Sequence, residues 1–176
     1  MNKILYAFAL AGVLGLSSCS DFLDQTSPSE MTAENTYASP YYTNLRVNKL
    51  YGGMAQDRTY AQDLSIVWNL NSDCELIDGL GSNATNTSSE RGNMNYNMDP
   101  GWSKISGVWD AEYGIIEDAN QIIEGIRSSA TLTAGGANQK SMERSLGEAL
   151  TIRAMVYFDL VRIFGDIPFK VEASKS

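Results

Sequence analysis

The sequence contains no histidine, few cysteines and few prolines, with two Cys and four Pro among 176 residues. Without histidine, the chain cannot form a catalytic triad that uses imidazole as its base, and every metal site that needs a histidine ligand is excluded. Cys19 and Cys74 allow at most one disulfide. Carboxylates are therefore the main ionisable groups that remain for any chemistry.

Positive charge is also scarce. The sequence has 13 Lys and Arg against 21 Asp and Glu, so its formal net charge is −8. The basic residues form no cluster. Proteins that bind nucleic acids gain much of their affinity by neutralising phosphates with basic side chains. We therefore expect no nucleic-acid partner.

Residues 1–18 predict the signal peptide of a bacterial lipoprotein. Lys3 precedes an apolar run at residues 4–16, which is too short to span a membrane, and Leu16-Ser17-Ser18 leads to Cys19. We expect cleavage before Cys19, lipidation of Cys19 and stable anchoring by its acyl chains. The alternative is an ordinary secreted protein whose signal ends near a cysteine. If Cys19 is lipidated, Cys74 has no partner for an intrachain disulfide, and a small, partly buried apolar role is favoured over a reactive thiol.

Residues 19–38 are rich in Ser, Thr, Pro and acidic residues, and they predict a lipidated tether without sustained periodicity. The domain proper is expected at residues 39–176. Ser39 and Pro40 are typical of a helix start, and this first helix should end near Gln56. Residues 60–70 suggest a short helical or extended piece.

Two stronger periodic segments follow. Residues 102–129 and the segment from about Gln139 to Phe164 both repeat apolar residues every three or four positions. Gly165 and Pro168 predict a sharp stop. A short Gly-containing connection makes the pair an antiparallel hairpin, so we expect an all-α fold. Little strand alternation survives, apart from residues 166–169.

Two polar residues lie within these helices. Asn120 is unfavourable in a helix interior, so we expect it to bond a neighbouring helix or loop. Arg153 lies on the apolar stripe of the last helix. We expect its stem to pack in the interface and its head to pair with a carboxylate or carbonyl of a neighbouring helix. The role of Arg153, and that of Asp166, would be architectural.

The segment 71–101 is a long Asn/Gly/Ser-rich loop, and loops of this length are usually functional or disordered. Sugar recognition uses flat aromatic rings flanked by polar side chains that hydrogen-bond hydroxyls. The candidate ligand-binding residues are Trp68, Asp73, Arg91, Asn95, Tyr96, Asn97 and Trp102. The alternative is that both tryptophans are core anchors and the asparagines serve turns.

Catalysis and metal binding are not expected. Glycoside hydrolysis needs two carboxylates held about 5–10 Å apart, and nothing in the sequence holds such a pair. Glu117, Asp118 and Glu143 are better interpreted as solvated helix faces. Asp73-Cys74-Glu75 could supply calcium ligands, but no EF-hand spacing is present. We expect no cofactor, no metal and no enzymatic activity.

Three blocks together resemble the SusD/RagB family of outer-membrane nutrient-binding lipoproteins. They are residues 19–24, with Asp21-Phe22-Leu23-Asp24 after Cys19, the Trp109 to Asn120 pattern, and GEALTIRAMVYFDLVRIFGDIP at residues 147–168. The resemblance implies helical hairpins like those of tetratricopeptide repeats. It also implies export to the cell surface, which is associated with acidic residues beside the lipid anchor.

The function implied by this resemblance is a surface-exposed lipoprotein of the outer membrane. It would bind oligosaccharide nutrients and deliver them to a SusC-like TonB-dependent transporter, without breaking a bond. The alternative is a structural or scaffold lipoprotein that contacts a partner barrel without its own ligand site. Peptide ligands remain open. Family members are longer than this chain, so residues 39–176 are expected to form an incomplete N-terminal domain.

Overall fold

The computed structural model describes residues 31–69, 72–73 and 101–174, and these residues form helices, turns and coil without a β-strand. The helices are α1 (Ala33–Ala38), α2 (Pro40–Met54), α3 (Asp63–Asn69), α4 (Ser103–Ser128) and α5 (Gly136–Phe164), with a 3₁₀ turn at Ala130–Thr133. The predicted all-α class is confirmed. Residues 166–169, where the sequence retained some strand alternation, are not extended into a sheet.

Helices α4 and α5 form the predicted antiparallel hairpin. Trp109 contacts Phe164, Tyr113 contacts Tyr157, and Asn120 bonds Arg153, so residue numbers rise along α4 as they fall along α5. Isoleucines, valines and alanines at three- and four-residue spacing give each helix one apolar face, and the two faces bury each other. This hairpin forms the main core of the domain.

Helix α2 packs across both arms of the hairpin, with Val47 and Leu50 fully buried in the main core. Its polar residues reach both partners at the surface. Lys49 pairs with Asp118 of α4 at 2.7 Å, and the Tyr51 hydroxyl donates to Glu148 of α5 at 3.2 Å. Helix α2 begins at Pro40 as predicted, but the Ser39 side chain forms no capping bond. The Ser39 carbonyl instead accepts from the Thr43 hydroxyl at 2.9 Å.

Helix α1 lies inside the segment 19–38, which the sequence predicted as a tether without sustained periodicity. The ring of Tyr37 is buried in the main core. The 3₁₀ turn holds α1 in place, since the Ser129 hydroxyl donates to the Tyr37 carbonyl at 2.6 Å and the Thr131 hydroxyl donates to the Ala38 carbonyl at 2.9 Å. The ordered domain therefore begins before Ser39, because tertiary contacts order a helix too short to be stable alone.

A tight turn connects α2 to α3. The buried hydroxyl of Thr59 lies within hydrogen-bond distance of the carbonyls of Gly53, Met54 and Gln56, at 2.8, 2.7 and 2.9 Å. Helix α3 is the short helical alternative predicted for residues 60–70. It forms a second apolar cluster with the start of α4, whose buried members are Leu64, Val67, Ile105 and Val108.

The chain turns back sharply after α5. Gly165 has φ 74°, a conformation that favours glycine, and its N–H donates to the Val161 carbonyl at 2.9 Å. Residues 165–174, here called the return segment, then lie along the hairpin. The Tyr157 hydroxyl donates to the Lys170 carbonyl at 2.6 Å and accepts from the Lys170 N–H at 2.8 Å. The predicted stop at Gly165 and Pro168 is confirmed.

The described residues from 33 onward form one compact unit. Within the described part of the chain, no helix combines the length and apolarity that crossing a bilayer requires.

Candidate functional site

Trp68 is a predicted ligand-binding residue that the structure places at the surface. It lies at the end of α3 and is 37% exposed. One edge is held by Tyr60, whose ring centroid lies 6.5 Å away at an interplanar angle of 79°. The guanidinium carbon of Arg162 lies 5.0 Å from the centre of the Trp68 ring. A large aromatic ring is thus fixed in position while part of it faces solvent.

Phe158 extends this surface on α5. Its ring is 61% exposed, and Arg162, one helical turn later, lies over it at 5.2 Å. Arginine over an aromatic ring is a favourable cation–π arrangement, about 0.5–1 kcal/mol at exposed sites. We call Trp68, Phe158 and Arg162 the aromatic–arginine surface. Phe158 and Arg162 were not among the predicted site residues. The sequence did contain a signal for them, because Phe158 is an aromatic residue that lies outside the buried apolar stripe of α5.

Trp102 and Asp73 occupy different settings. Trp102 immediately precedes α4, is half-buried and packs against the second apolar cluster. Asp73 is exposed, in a bend formed by residues 72–73. Trp68 borders the same cluster through Tyr60. The fold therefore brings Trp68 and Trp102 to the same end of the hairpin, and Trp68 is the more exposed of the two.

The other predicted ligand-binding residues, Arg91, Asn95, Tyr96 and Asn97, lie outside the described residues. So do Cys19 and the predicted signal peptide, and so do Cys74 and Glu75 of the calcium alternative. Among the residues that the structure does describe, no three Asp, Glu, Cys or His side chains come together as a metal site would require.

A buried carboxyl pair lies beneath the aromatic–arginine surface, and sequence reasoning missed it. Glu112 of α4 is 0% exposed, and neither of its oxygens has a hydrogen-bond partner among the residues that the structure describes. Asp159 of α5 is 3% exposed. The Tyr60 hydroxyl donates to Asp159. Burial, reinforced by the charge of Asp159, raises the pKa of Glu112 to about 8. The sequence did indicate that Glu112 would be buried, because its spacing places it on the same helix face as the apolar residues of α4.

These groups support structure and not reaction chemistry. Burial also raises the pKa of Asp159, although the bond from Tyr60 and the charge of Arg162 oppose that rise. A sugar cannot reach two carboxyls that are closed off from solvent. Their position is nevertheless informative, since Tyr60 bonds Asp159 on one side and supports the Trp68 ring on the other. Asp159 therefore anchors Tyr60, just before α3, and through Tyr60 supports Trp68.

The chain matches a known protein family. A family model described as "SusD-like, starch-binding associating with outer membrane" matches residues 21–176. The chain belongs to the SusD-like family.

Curated relatives extend this result. The chain is similar to SusD-like protein P2 of Formosa agariphila, 28% identical over 170 residues that cover 96% of this chain and 31% of that protein. It is also similar to SusD-like protein P25 of the same organism, 23% identical over 180 residues, with 97% and 31% covered. A SusD-like protein of Bacteroides ovatus is 30% identical over 63 residues, or 36% of this chain and 11% of that protein. The chain thus spans about a third of the length of the first two relatives. No solved structure gives a significant match.

The SusD-like chain also has a cleft of about 840 Å³ between α4 and the return segment. Its lining is Asn120, Ile123, Glu124, Arg127 and Ser128 with residues 171–174, and it contains no aromatic side chain. It therefore lacks the flat apolar rings on which a sugar face would stack. The aromatic–arginine surface is the better candidate for a ligand.

Arg153 of the SusD-like chain has the architectural role predicted for it. Its Nη1 donates to the Asn120 side-chain oxygen at 2.7 Å and to the Val171 carbonyl at 3.1 Å. Asn120 Nδ2 in turn lies 3.2 Å from the carbonyls of Lys170 and Glu172. Both predictions are confirmed, since Asn120 bonds a neighbouring helix and a loop, and Arg153 pairs with a carbonyl oxygen of the neighbouring helix.

The surface carboxylates are less isolated than the sequence suggested. Asp118 pairs with Lys49, and Glu117 accepts from both the N–H and the hydroxyl of Ser174 at 2.8 and 3.1 Å. Partial burial acts to raise the pKa of Glu117, but these bonds outweigh it and lower that pKa. Glu143 is exposed, as expected, and accepts from Gln139 at 2.7 Å. Glu117 thus helps to hold the return segment.

Proposed function

We propose that this chain is the N-terminal part of an outer-membrane lipoprotein that binds oligosaccharides at the cell surface and delivers them to a SusC-like TonB-dependent transporter. The family match across residues 21–176 supports the class of protein. The observation that carries ligand binding is the exposed ring of Trp68, held by Tyr60 and overlaid by Arg162. Binding, not turnover, is the proposed activity.

The geometry suits a sugar for two reasons. A pyranose ring has a face of C–H groups that packs on an aromatic ring, and its hydroxyls accept and donate hydrogen bonds at the edge. Trp68 and Phe158 supply the rings, and Arg162 supplies N–H donors beside them. Rigid anchoring of Trp68 through Tyr60 and Asp159 reduces the entropy lost when a ligand is bound.

Ligand binding is tested by affinity electrophoresis of the purified chain in gels that contain soluble starch or another neutral polysaccharide. We expect retardation in at least one gel, and we expect Trp68→Ala and Phe158→Ala each to reduce it. Tyr41→Ala is the control, because Tyr41 is an exposed aromatic residue on α2, outside this surface, and its 68% exposure is close to the 61% of Phe158. If retardation falls equally in all three variants, or in none of them, the aromatic–arginine surface is not the binding site.

Anchoring and partner binding need separate tests. Mass spectrometry of the detergent-extracted protein should find acyl chains on Cys19, and Cys19→Ser should abolish them and release the protein from membranes. A barrel encoded beside the gene should co-purify with the lipidated protein. Co-purification of that barrel without retardation in any polysaccharide gel would instead favour the scaffold alternative.

A further inference from the structure

Arg162 has an unusual position for a cation in an acidic protein. The chain has a formal net charge of −8, and the two salt bridges found among the described residues use Lys49 and Lys104. Within that same part of the chain, Arg162 forms no hydrogen bond and no ion pair; what it contacts is the Trp68 and Phe158 rings. Its positive charge is therefore available to a ligand.

The buried acidic group that senses the charge of Arg162 does not neutralise it. Asp159 lies on the same helix and senses the charge of Arg162, which acts to lower the pKa of that carboxyl. Asp159 is buried, however, and its side chain is already engaged by Tyr60. Glu112 is deeper still. Neither carboxyl reaches the solvent side of the surface, so an incoming anion would meet the guanidinium without competition from them.

The position of Arg162 over the two rings also restricts what its guanidinium can bind. An arginine head over aromatic rings still has N–H donors at its edge. That edge matches two oxygens of one carboxylate or sulfate, in the geometry of a bidentate pair. The exposed side chains of Met155 and Val161 continue the apolar surface along α5. The arrangement thus offers a charge-specific edge beside a surface for C–H groups.

We propose that the aromatic–arginine surface selects oligosaccharides that carry a negative charge. Sugar rings pack on the parts of Trp68 and Phe158 that Arg162 leaves exposed, and Arg162 binds the anionic group. This inference rests on the proposed function and adds the class of ligand. Carboxylated and sulfated sugars share the required chemistry, and the test separates them.

The test measures affinity by calorimetry at low ionic strength for two matched pairs of probes. One pair is an oligogalacturonate and its methyl-esterified form. The other is a sulfated galactan oligosaccharide and its desulfated form. In at least one pair, the charged form should bind about tenfold more tightly than the neutral form, which corresponds to about 1.4 kcal/mol. The preference should shrink at high salt because exposed charges are screened. The pair that shows it identifies carboxylate or sulfate as the ligand group.

Variants assign the preference to a residue. Arg162→Gln should lower affinity for the charged probe several-fold more than for its neutral partner, whereas Phe158→Ala should lower affinity for both. Arg144→Gln is the matched control, because Arg144 is exposed on the same helix, roughly 27 Å away at 1.5 Å per residue. It should leave the charged-to-neutral ratio unchanged. Circular dichroism of each variant reports whether the helices are retained.

The outcomes separate the two proposals. Binding of neutral and charged probes with equal affinity, or a preference that survives in Arg162→Gln, would overturn the charge-selective inference and leave oligosaccharide binding standing. No measurable binding of any of the four probes by the folded protein would count against both.

Discussion

Arg153 on α5 donates a hydrogen bond to the side-chain oxygen of Asn120 on α4 at 2.7 Å, and the two residues together hold the return segment. Asn120 is 1% exposed and donates toward the carbonyls of Lys170 and Glu172. Arg153 adds a bond to the Val171 carbonyl. The side-chain amide of Asn120 therefore forms hydrogen bonds with both the hairpin and the return segment.

Asn120→Ala should destabilise the domain by about 2 kcal/mol, because it leaves a partly buried guanidinium and two carbonyls without their partner. Denaturant unfolding measures the loss, and trypsin should cleave at Lys170 faster than in the parent chain. Gln121→Ala is the control, since the neighbouring amide is exposed and forms side-chain bonds at 3.4 and 3.2 Å. It should change stability by less than about 0.5 kcal/mol. Equal effects of the two substitutions would refute this role of Asn120.

Stability should fall as the pH rises from about 5 to 8, because of Glu112. In the folded chain its pKa is raised to about 8 from an ordinary 4.5 by burial and by the charge of Asp159. Between those values the folded state holds a proton that the unfolded state releases, so raising the pH favours unfolding. Each pKa unit corresponds to about 1.4 kcal/mol. The free energy of unfolding, measured by urea titration across this range, should decline by a few kcal/mol and then level off.

Glu112→Gln tests the cause of that decline. The amide is isosteric and cannot ionise, so most of the pH dependence should disappear and the variant should be more stable than the parent at pH 8. Glu143→Gln, at an exposed carboxylate on α5, should leave the profile unchanged. A profile that is the same in Glu112→Gln and in the parent would show that the decline comes from elsewhere.

Gly125 and Gly114 lie on the same helix and should respond oppositely to alanine. A methyl group on Gly125 would overlap the ring of Tyr37, whereas one on Gly114 would meet nothing within 4 Å. Gly125→Ala should therefore displace α1 and cost about 1–3 kcal/mol. Gly114→Ala should stabilise α4 by about 0.5–1 kcal/mol, because alanine loses less backbone freedom. Thermal unfolding of both variants checks the signs, and a Gly125→Ala chain as stable as the parent would contradict the packing of α1.

Two ion pairs of different burial give a further matched comparison. Lys104 and Asp63 lie 2.5 Å apart with side chains only 14% and 11% exposed, while Lys49 is 56% exposed beside Asp118. Lys104→Met should cost about 2–3 kcal/mol, because Asp63 would remain buried without its counter-charge. Lys49→Met should cost less than about 1 kcal/mol, as is usual for exposed pairs. Similar losses from the two substitutions in urea unfolding would show that burial does not distinguish these pairs.

Much of the fold was predictable because its strongest elements are locally encoded. The spacing of apolar residues in α4 and α5 identified both arms of the hairpin, and Gly165 with Pro168 identified the stop. Helix α1 was missed because its six residues carry too few apolar positions to show a period. Its helix is stabilised by packing of the Tyr37 ring against Gly125. Because Gly125 is distant in sequence, this contact could not be predicted from the local pattern.

The candidate site was less predictable. Trp68 could be proposed as an exposed aromatic residue from its place before a polar loop, but its sequence neighbourhood could not show whether it was a core anchor. Phe158 and Arg162 lie about ninety residues further along the chain, on a helix whose other aromatic residues include buried Tyr157. Only the packing of α3 against the hairpin brings these three side chains together. The burial of Glu112 likewise depends on helices that close over it.

The sequence by itself determined that this protein is a helical hairpin with a sharp stop, and its motifs pointed to a SusD-like lipoprotein. Those properties follow from short-range periodicity, helix termini and ordered motifs, which a linear chain displays directly. The tertiary structure decided which aromatic rings face solvent and which carboxyls are buried. It also decided that Arg153 is structural and that Arg162 is open to a ligand. These depend on how separate helices pack, because burial and electrostatic partners are properties of the assembled core and not of any one segment.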